Sequence, residues 1–594
     1  MEARQTTAFF TTGNKLLILA LLAFGIGLRF AGLADLTMTE REAINASAAL
    51  ASVEPNFPAD GTQPFYLFLT SLLFKLFTAN NFTARLAPAI FGISLLFLPF
   101  AFRQKLSPKV LTLWLLLLAL DPGLIAWGKR ADEASIVIAL AAYLAAAIFN
   151  RDDRWIPVLT GALLASLQRS LPLALAAAIV TAVVSLLDAT LFNGEFQPHR
   201  SFARAFSSRT LCVAFALALL FAVSFFANPA GIGILGSGLI AAFNDASVQL
   251  PGSVWLLLAI VYDGFGIVLT IGAWIEGNRT QNRTKLLLSW GCLMAVLALL
   301  LFNQGALVFV FVAPLMTLIG AIELDSILNR EPCCRGFLEK ISIFIPIGFL
   351  LGIFLTASVA IRFARQANTL TTLAALGSGT LPFTQAQQFF IISTIVLIAV
   401  LLIVPMVLRY FSARSLRQPL TVGFLIAVLA VSIANAWDAA GFSHQNDSPA
   451  SAGDAVLPLI GDQRFIDDSV LIPTLNELSG KSHRSPTEIR GMVVLSGIPS
   501  AEAGYRWSLR AFPKVVFSPF PIKETLGDLD FYLTFGQPQQ LLHSCSGMDF
   551  VRTRTIDFAA LSDLDWLNWV VYRDLPAAPE ILTLWEKTSA LYAN

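Results

Sequence analysis

Long apolar runs, separated by short polar segments, recur along most of the 594-residue chain. A helix that crosses the hydrocarbon core of a membrane needs about 17–25 mostly apolar residues. Reading the runs on this basis predicts thirteen spans, namely Lys15–Ala34, Arg85–Phe102, Val110–Trp127, Ala134–Phe149, Trp155–Leu167, Leu171–Leu187, Leu211–Phe226, Val254–Trp274, Leu286–Phe302, Gly305–Ile322, Ile341–Val359, Phe389–Leu408 and Leu420–Ala436. The pattern therefore predicts an all-α polytopic membrane protein over most of its length.

A further apolar run, Phe65–Phe77, is short and contains Lys75. Short loops rich in Lys and Arg stay on the cytoplasmic side of the membrane. The chain has five such loops, and all five lie on the same side only if the run Phe65–Phe77 does not cross the membrane. The five loops lie at residues 103–109, 200–209, 279–285, 330–340 and 409–417. We therefore predict an interfacial or re-entrant helix within the first outside loop, Asp35–Ala84. The N-terminus is then cytoplasmic, and the chain after Ala436 is extracytoplasmic.

The chain changes character after Trp437, where polar residues become frequent. Residues 438–454 contain a stretch rich in Pro, Ser and Asp, which is typical of a linker. We predict a membrane domain at 1–437 and a small extracytoplasmic α/β domain at 455–594. In that domain a helix is predicted at Tyr505–Ala511, and strands at Met492–Leu495, Lys514–Phe517, Asp530–Thr534 and Trp569–Tyr572.

The composition supports a membrane location and excludes several other classes. Hydrophobic residues are 56% of the chain, charged residues are 13%, and the mean hydropathy is +0.70. A soluble domain carries about 25% charged residues, so a cytosolic enzyme or a disordered chain is excluded. The net charge of +1 argues against nucleic acid, which needs a basic surface. We predict a multi-pass protein of a plasma (inner) membrane, with membrane lipids around it.

Acidic residues near the predicted outer surface are the first candidates for chemistry. Glu40 and Glu42 follow Thr39 at the start of the first outside loop. Thr39 and Glu42 fit a capping box, in which both residues serve only to start a helix. The functional alternative is that one of the two carboxylates faces a cavity, where it accepts a proton from an attacking hydroxyl.

Lys129, Arg130, Asp132 and Glu133 stand together in a predicted outside turn. Two bases beside two acids suit a phosphate-bearing ligand next to a carboxylate, although a solvated turn that caps the next helix explains them as well. Arg169 is a second candidate phosphate contact or an interface anchor.

Two aspartates stand within predicted spans. Asp121 before Pro122 predicts that the third span breaks and its helix restarts. Asp263 is read first as a polar contact between helices and second as the lining of a cavity.

Four segments between Leu28 and Phe149 resemble the GT-C superfamily of membrane glycosyltransferases, in the branch with the protein O-mannosyltransferases and the lipid A aminoarabinose transferase. The segments that carry the resemblance are Leu28-Arg29 with Leu36–Glu40, Gln63–Phe77, Thr83–Gly92 and Arg130-Ala131-Asp132. The family has an Asp-Glu pair where this chain has Thr39-Glu40, and a His where it has Gln63. Because half of the acidic pair is absent, the role of Glu40 is open, and Glu42 is an alternative equivalent.

The resemblance implies transfer of a sugar from a polyprenyl-phosphate donor to a lipid, glycan or protein acceptor on the outer side. It implies catalytic roles for Glu40 and Asp132, and substrate-binding roles for Gln63, Lys129, Arg130 and Arg169. A divalent metal is left open, and the glycine-rich segment Asn228–Gly252 is a candidate lid. Two alternatives stand beside the enzyme: a catalytically degenerate relative that binds a glycolipid or scaffolds an envelope complex, and a lipid or glycan transporter.

Overall fold

The computed structural model shows a mainly helical membrane part, followed by a smaller part that contains a β-sheet. The structure describes residues 12–34, 38–53, 63–191, 207–225, 231–244, 252–301, 307–329, 343–367, 413–442, 465–466, 470–481, 485–495, 502–519, 529–535, 545–557, 560–572, 575–576 and 578–587.

Helices occupy the regions where the apolar runs predict spans. In chain order they are α1 (Thr12–Phe30), α2 (Glu40–Ala51), α3 (Pro64–Leu76), α4 (Asn81–Ser94), α5 (Leu98–Ala101), α6 (Pro108–Leu120), α7 (Pro122–Gly128), α8 (Ala134–Asn150), α9 (Ile156–Ala165), α10 (Leu167–Leu191), α11 (Ser208–Ala222), α12 (Gly231–Asn244), α13 (Gly252–Thr280), α14 (Arg283–Leu301), α15 (Leu307–Leu328), α16 (Phe344–Ala367) and α17 (Ala413–Ala439). Each predicted span within the described residues overlaps one or more of these helices. The predicted span Phe389–Leu408 lies outside the described residues.

Several of these helices have the length and composition of membrane spans. Among the described residues, six helical stretches meet both criteria, one of which is Asn81–Ala101 from α4 through α5, and the bent pair α6 and α7 makes a seventh. Other apolar helices, including α8, α9 and α11, are shorter. The protein is therefore an integral membrane protein, while the number of thirteen spans and the orientation of the termini stay predictions.

The break between α6 and α7 follows directly from the residues at the junction. The two helices meet at 56°, and Asp121 caps α7 by accepting a hydrogen bond from the Leu124 N–H at 2.8 Å. Pro122 has no N–H, so it cannot bond the carbonyl of Leu118 four residues earlier. Arg29 of α1 donates to that carbonyl instead, at 2.8 Å. The predicted break at Asp121-Pro122 is confirmed.

Helix α3 contains the apolar run Phe65–Phe77, which the distribution of Lys and Arg among the loops predicts not to cross the membrane. It has 13 residues, and at 1.5 Å per residue it reaches about 20 Å, whereas the hydrocarbon core is about 30 Å thick. It packs against α2 and α4. Its length agrees with a helix that does not cross, and its place at the membrane surface stays a prediction.

The C-terminal residues form a five-stranded sheet in the order β4-β3-β5-β7-β6. Its strands are β3 (Gly491–Val494), β4 (Val515–Ser518), β5 (Phe531–Phe535), β6 (Cys545–Thr555) and β7 (Ala578–Lys587), and its helices are α18 (Leu471–Lys481), α19 (Glu502–Ser508) and α20 (Asp563–Tyr572). Strand β3 pairs in parallel with β4 and β5, and β7 is antiparallel to β5 and β6. The predicted strands at β3, β4 and β5 and the predicted helix at α19 are confirmed.

The strand predicted at Trp569–Tyr572 is wrong, because these residues end helix α20. Ser562 and Asp565 start this helix by bonding each other's backbone N–H groups, and Trp569 is the buried residue of the short apolar run. Strands β6 and β7 were not predicted. Their mix of charged and apolar residues lacks the compact apolar run by which the other strands were recognised.

The C-terminal part is packed onto the membrane part at several points. Trp569 of α20 lies 5.7 Å from the ring of Tyr262 in α13. Trp507 of α19 stacks on Phe74 of α3 at 5.7 Å and donates to the Asn81 side chain at 3.0 Å. Strand β1 (Met38–Thr39) also pairs antiparallel with β2 (Phe465–Ile466). The start of the first loop is thus held by the C-terminal residues.

Candidate functional site

The N-terminus of α2 is held in place by its own capping residues. The Thr39 hydroxyl accepts a hydrogen bond from the Glu42 N–H at 3.2 Å, and the Glu42 carboxylate accepts one from the Thr39 N–H at 3.0 Å. This is the capping box that the sequence predicts. Together with the β1–β2 pairing, it fixes the backbone of Glu40, the first residue of the helix.

Glu42 is also the centre of a buried ion pair. Arg85 of α4 donates from Nε to Oε1 at 2.9 Å and from a terminal nitrogen to Oε2 at 3.2 Å. The Ala131 N–H donates to Oε1 at 3.0 Å. Burial alone would raise the pKa of Glu42, but Arg85 and Arg130 outweigh it and lower the pKa. Glu42 is therefore a structural anion that joins α2, α4 and the turn after α7.

That turn, residues 129–133, is tied to the first loop by two amide side chains. Asn45 of α2 donates to the Ala131 carbonyl at 2.8 Å and to the Gln63 side-chain oxygen at 3.3 Å. Gln63 donates in turn to Asp132 at 3.0 Å and accepts from the Glu133 N–H at 3.0 Å. Residues far apart in sequence thus form one buried polar network, in which Gln63 uses both ends of its amide.

Asp132 is buried within this network, with a relative exposure of 1%. One oxygen accepts from the Ala134 N–H at 2.7 Å, and the other accepts from Gln63 and from Arg169 of α10 at 3.2 Å. Burial would raise the pKa of Asp132, but Arg169 and Arg130 lower it well below its usual range. Asp132 is thus a permanently charged anchor for the side chains around it.

Glu133 differs from its neighbour because it has no cationic hydrogen-bond partner among the described residues. It is 0% exposed, and one oxygen accepts from the Tyr66 N–H at 2.9 Å. The other oxygen has no hydrogen-bond partner in the part of the chain that the structure describes. Burial raises the pKa of Glu133 to about 8, to which the charge of Asp132 contributes. The carboxyl is therefore mostly neutral at pH 7.

Glu133 also explains how α3 starts without a cap of its own. The N-cap residue of that helix, Gln63, makes no side-chain cap, because its amide is used in the network. Glu133 supplies the missing acceptor for the N–H of Tyr66, the third residue of the helix. Glu133 is not among the residues that the sequence predicts to bind or act on a substrate. The one signal in the sequence is that the helix starting at Pro64 has no capping residue of its own, which indicates that a more distant residue accepts its free N–H groups.

The two bases of the turn have different surroundings. Lys129 is buried and donates to two backbone carbonyls, those of Ala31 and, at 2.7 Å, Ala440. Burial lowers its pKa to about 7, helped by Arg85 and Arg29. It joins the C-terminal ends of α1 and α17, and its predicted contact with a donor phosphate stays a prediction.

Arg130 lies directly beside the start of α2. It donates to the Thr39 hydroxyl at 3.3 Å, and its guanidinium lies 4.7 Å from the ring centre of Trp127. Arg130 thus lies beside the first-loop segment that contains Glu40, since Glu40 follows Thr39 in the chain, and its role in substrate binding stays a prediction.

Glu40 stands apart from the other acids of this cluster in its exposure. Glu42, Asp132 and Glu133 are buried, whereas Glu40 is half-buried. The Glu40 side chain is thus partly exposed, although one of its carboxylate oxygens is buried. Since α2 contacts the turn directly, Glu40 and Asp132 belong to one assembly on one side of the helix bundle.

The donor set at this assembly does not suit a divalent metal. Within the described residues, no group of three or more His, Cys, Asp or Glu side chains could hold a metal ion. Glu42 and Asp132 are bound to arginines, so they are not arranged as oxygen ligands for a cation. No step proposed below uses a metal.

An aromatic surface extends from the same assembly along α3 and α11. Phe65 lies 5.2 Å from the ring of Phe221, and Phe68 lies 5.5 Å from that of Phe225. Phe225 is exposed. This surface starts two residues after Gln63, so a series of ring contacts connects the exposed Phe225 with the segment next to the polar network.

Comparison with solved structures identifies the fold. No protein-family model matches the sequence, and no curated protein sequence matches it. The crystal structure of ArnT from Cupriavidus metallidurans bound to undecaprenyl phosphate is similar to this chain, with a TM-score of 0.50 and 12% identity over 85% of this chain and 86% of that one. The apo structure of the same ArnT gives a TM-score of 0.49 and 13% identity over 84% and 85% of the two chains.

ArnT is a lipid A aminoarabinose transferase of the GT-C superfamily. The resemblance predicted from the four sequence segments is therefore confirmed at the level of the fold.

Proposed function

We propose that the protein is a membrane glycosyltransferase that moves a sugar from a polyprenyl-phosphate donor to a lipid, glycan or protein acceptor on the extracytoplasmic side. The observation that carries the proposal is the convergence of the first loop and the turn at 129–133. It puts a half-buried carboxylate, Glu40, next in the chain to a hydroxyl that Arg130 contacts. The fold shared with ArnT, which was crystallised with undecaprenyl phosphate, supports the donor class.

Glu40 is the general base in this proposal. A base must reach the acceptor hydroxyl, and of the four acids in the cluster Glu40 is the one with partial exposure. Glu42 is excluded from this role because Arg85 and the Ala131 N–H occupy its oxygens. Of the two first-loop acids, we therefore assign the role of general base to Glu40 and not to Glu42.

Arg130 is the phosphate-binding residue. A guanidinium is always charged and forms strong hydrogen bonds to phosphate oxygens. Its place beside Thr39 and Trp127 puts this charge at the start of α2. In the proposed arrangement the leaving phosphate lies next to Arg130, and Glu40 faces the other side of the sugar ring.

Asp132, Gln63 and Arg169 act as positioning residues. Asp132 is buried and bonded on both oxygens, so its role is to orient Gln63 and Arg169 and not to exchange a proton. Gln63 holds the turn against α2 through Asn45. These contacts keep Arg130 and Glu40 at a constant separation, which a transfer reaction requires.

The donor's lipid chain has an apolar path to this site. The aromatic surface of Phe65, Phe68, Phe221 and Phe225 offers contacts for a polyprenyl tail. The glycine-rich α12 contacts α3 nearby, in the segment that the sequence predicts to be a lid. Its closure over the donor is part of the proposal.

The reaction then proceeds by one displacement at the anomeric carbon of the sugar. Glu40 takes the proton of the acceptor hydroxyl while that oxygen forms a bond to the anomeric carbon. The bond between this carbon and the phosphate oxygen breaks, and polyprenyl phosphate leaves with the bonding electrons. Arg130 stabilises the charge that develops on the phosphate.

The test is transfer of radiolabel from a panel of polyprenyl-phosphate sugars by the purified full-length protein, with membrane lipid extract as acceptor. We expect Glu40→Gln to lower transfer by about 10²–10⁴-fold without changing the apparent melting temperature. The matched control is Glu488→Gln, an exposed acid in the C-terminal part, which should transfer normally. Full activity in Glu40→Gln would refute the role of Glu40. Donor binding without turnover in the wild type would favour the degenerate, glycolipid-binding alternative.

A further inference from the structure

A second cluster of polar groups lies inside the membrane part, away from the turn at 129–133. It lines a cleft where α6 and α7 meet α13, α15 and α17, and it contains Asp121, Asp263, Thr317 and Ser432 among apolar side chains. The sequence favoured a helix–helix contact for Asp263, but the structure places it in the lining of this cleft.

Both aspartates stand at interruptions of their helices. Asp121 separates α6 from α7. Asp263 lies within α13 but has non-helical backbone angles, with φ of −108° and ψ of 16°. A helix that loses its regular hydrogen bonds in the membrane interior is tolerated where it lines a cavity or a binding site. Two such interruptions that meet in one cleft therefore point to a site.

The side chain of Asp263 provides the second, independent indication of a ligand. It is 4% exposed, and its Oδ2 atom has no hydrogen-bond partner among the described residues. A buried carboxylate oxygen without a partner is costly.

The charges around the cleft do not balance. Arg29 of α1 interacts electrostatically with Asp121, although it donates its described hydrogen bonds to the carbonyls of Gly25 and Leu118. The other titratable groups near Asp263 are Tyr262 in the lining and Cys292 of α14, and both are uncharged in their usual protonated state. One arginine against two aspartates leaves one negative charge in excess.

We propose that Asp121 and Asp263 form an intramembrane site that binds one monovalent cation, either a proton or an alkali-metal ion. A single positive charge balances the cleft, whereas a divalent ion would leave an excess of positive charge beside Arg29. Thr317 and Ser432, each of which carries a hydroxyl oxygen, line the cleft beside the two carboxylates. The site is separate from the proposed transferase site, and α7 connects the two, because Asp121 starts this helix and Lys129 follows its end.

The experiment measures the apparent melting temperature of the purified full-length protein between pH 5 and 9, in sodium chloride and in choline chloride of equal ionic strength. Every sample carries Glu133→Gln, because Glu133 by itself makes the protein lose stability as the pH rises, and the protein with this one change is the wild type of the comparison. We expect it to lose stability as the pH rises in choline. Restoration by sodium identifies an alkali-metal ion, and a loss that sodium does not restore identifies a proton. Asp263→Asn removes the excess charge, so its melting temperature should exceed that of the wild type at high pH in choline by at least about 2 °C.

Two further variants keep the result decisive. Asp121→Asn retains an oxygen that can cap α7 and should also remove the difference between conditions. Asp188→Asn is the matched control, because Asp188 is equally buried but pairs with Arg283 at 2.6 Å. It should lower the melting temperature equally in every condition. If Asp263→Asn and Asp121→Asn behave like Asp188→Asn, or respond to pH and sodium as the wild type does, the site does not exist.

Discussion

Replacing Glu133 with glutamine should stabilise the protein, and the gain should grow as the pH rises. Glutamine keeps an oxygen that can accept the Tyr66 N–H, which Glu133 bonds at 2.9 Å, but it never acquires a charge. In the folded protein the pKa of Glu133 is raised from 4.5 to about 8, so folding favours the neutral form of this carboxyl.

The sign and the size follow from this difference. Below pH 4.5 the carboxyl is protonated in both the folded and the unfolded state, so wild type and Glu133→Gln should be similarly stable. As the pH rises towards 8, the unfolded state releases its proton and the folded state does not, and the wild type loses about 1.4 kcal/mol per pH unit. Over the whole interval the loss is of the order of 3–5 kcal/mol, and above pH 8 it stays constant.

The assay is tryptophan fluorescence during thermal unfolding of both proteins at several pH values between 5 and 9, at one scan rate. The matched control is Asp188→Asn, because Asp188 is also buried but pairs with Arg283 at 2.6 Å. Asp132 is unsuitable as a control, because its charge contributes to the raised pKa of Glu133. Asp188→Asn should lower the melting temperature by a similar amount at every pH tested. An advantage of Glu133→Gln that is equal at pH 5 and pH 9 would refute the reasoning.

Three further outcomes follow from the structure. Glu42→Gln should destabilise the protein by about 3–5 kcal/mol, because it leaves Arg85 buried without its charged partner, and a double-mutant cycle with Arg85→Gln should recover part of that loss. Arg130→Ala should raise the KM for the lipid-phosphate donor, and Arg130→Lys should recover only part of the affinity because it lacks the guanidinium fork. Trp507→Ala removes the stacking on Phe74 and should make the C-terminal part more sensitive to protease, with Trp585→Ala, within the sheet, as a control that leaves this contact intact.

The features that the sequence predicts best are those that depend on a few neighbouring residues. The capping box at Thr39 and Glu42 is confirmed because its two partners are three residues apart. The break at Asp121-Pro122 is confirmed because proline lacks the N–H wherever it stands. In contrast, Trp569–Tyr572 was assigned to a strand, since a four-residue apolar run has no period of its own and its class depends on what it packs against.

At the candidate site, too, the sequence predicts some properties of the acidic residues, and others depend on the tertiary structure. The chain places Glu40, Glu42, Asp132 and Glu133 near the predicted outer surface, and the fold confirms that the two segments meet. The sequence does not reveal which of these carboxylates is held by arginine, which is kept neutral and which is partly exposed. Those properties depend on Arg85 and Arg169, which reach the acids from other helices.

By itself, the sequence determined that this protein lies in the membrane, that Thr39 and Glu42 start one helix, that Asp121-Pro122 breaks another, and which family the chain resembles. These are consequences of apolar length and of hydrogen bonds between residues within one turn. Only the tertiary structure decided that Gln63 bonds Asp132, that Glu133 caps a distant helix and that Asp121 and Asp263 share a cleft. The reason is that a buried polar group must find its partner wherever packing places one, and packing joins segments whose separation along the chain carries no signal.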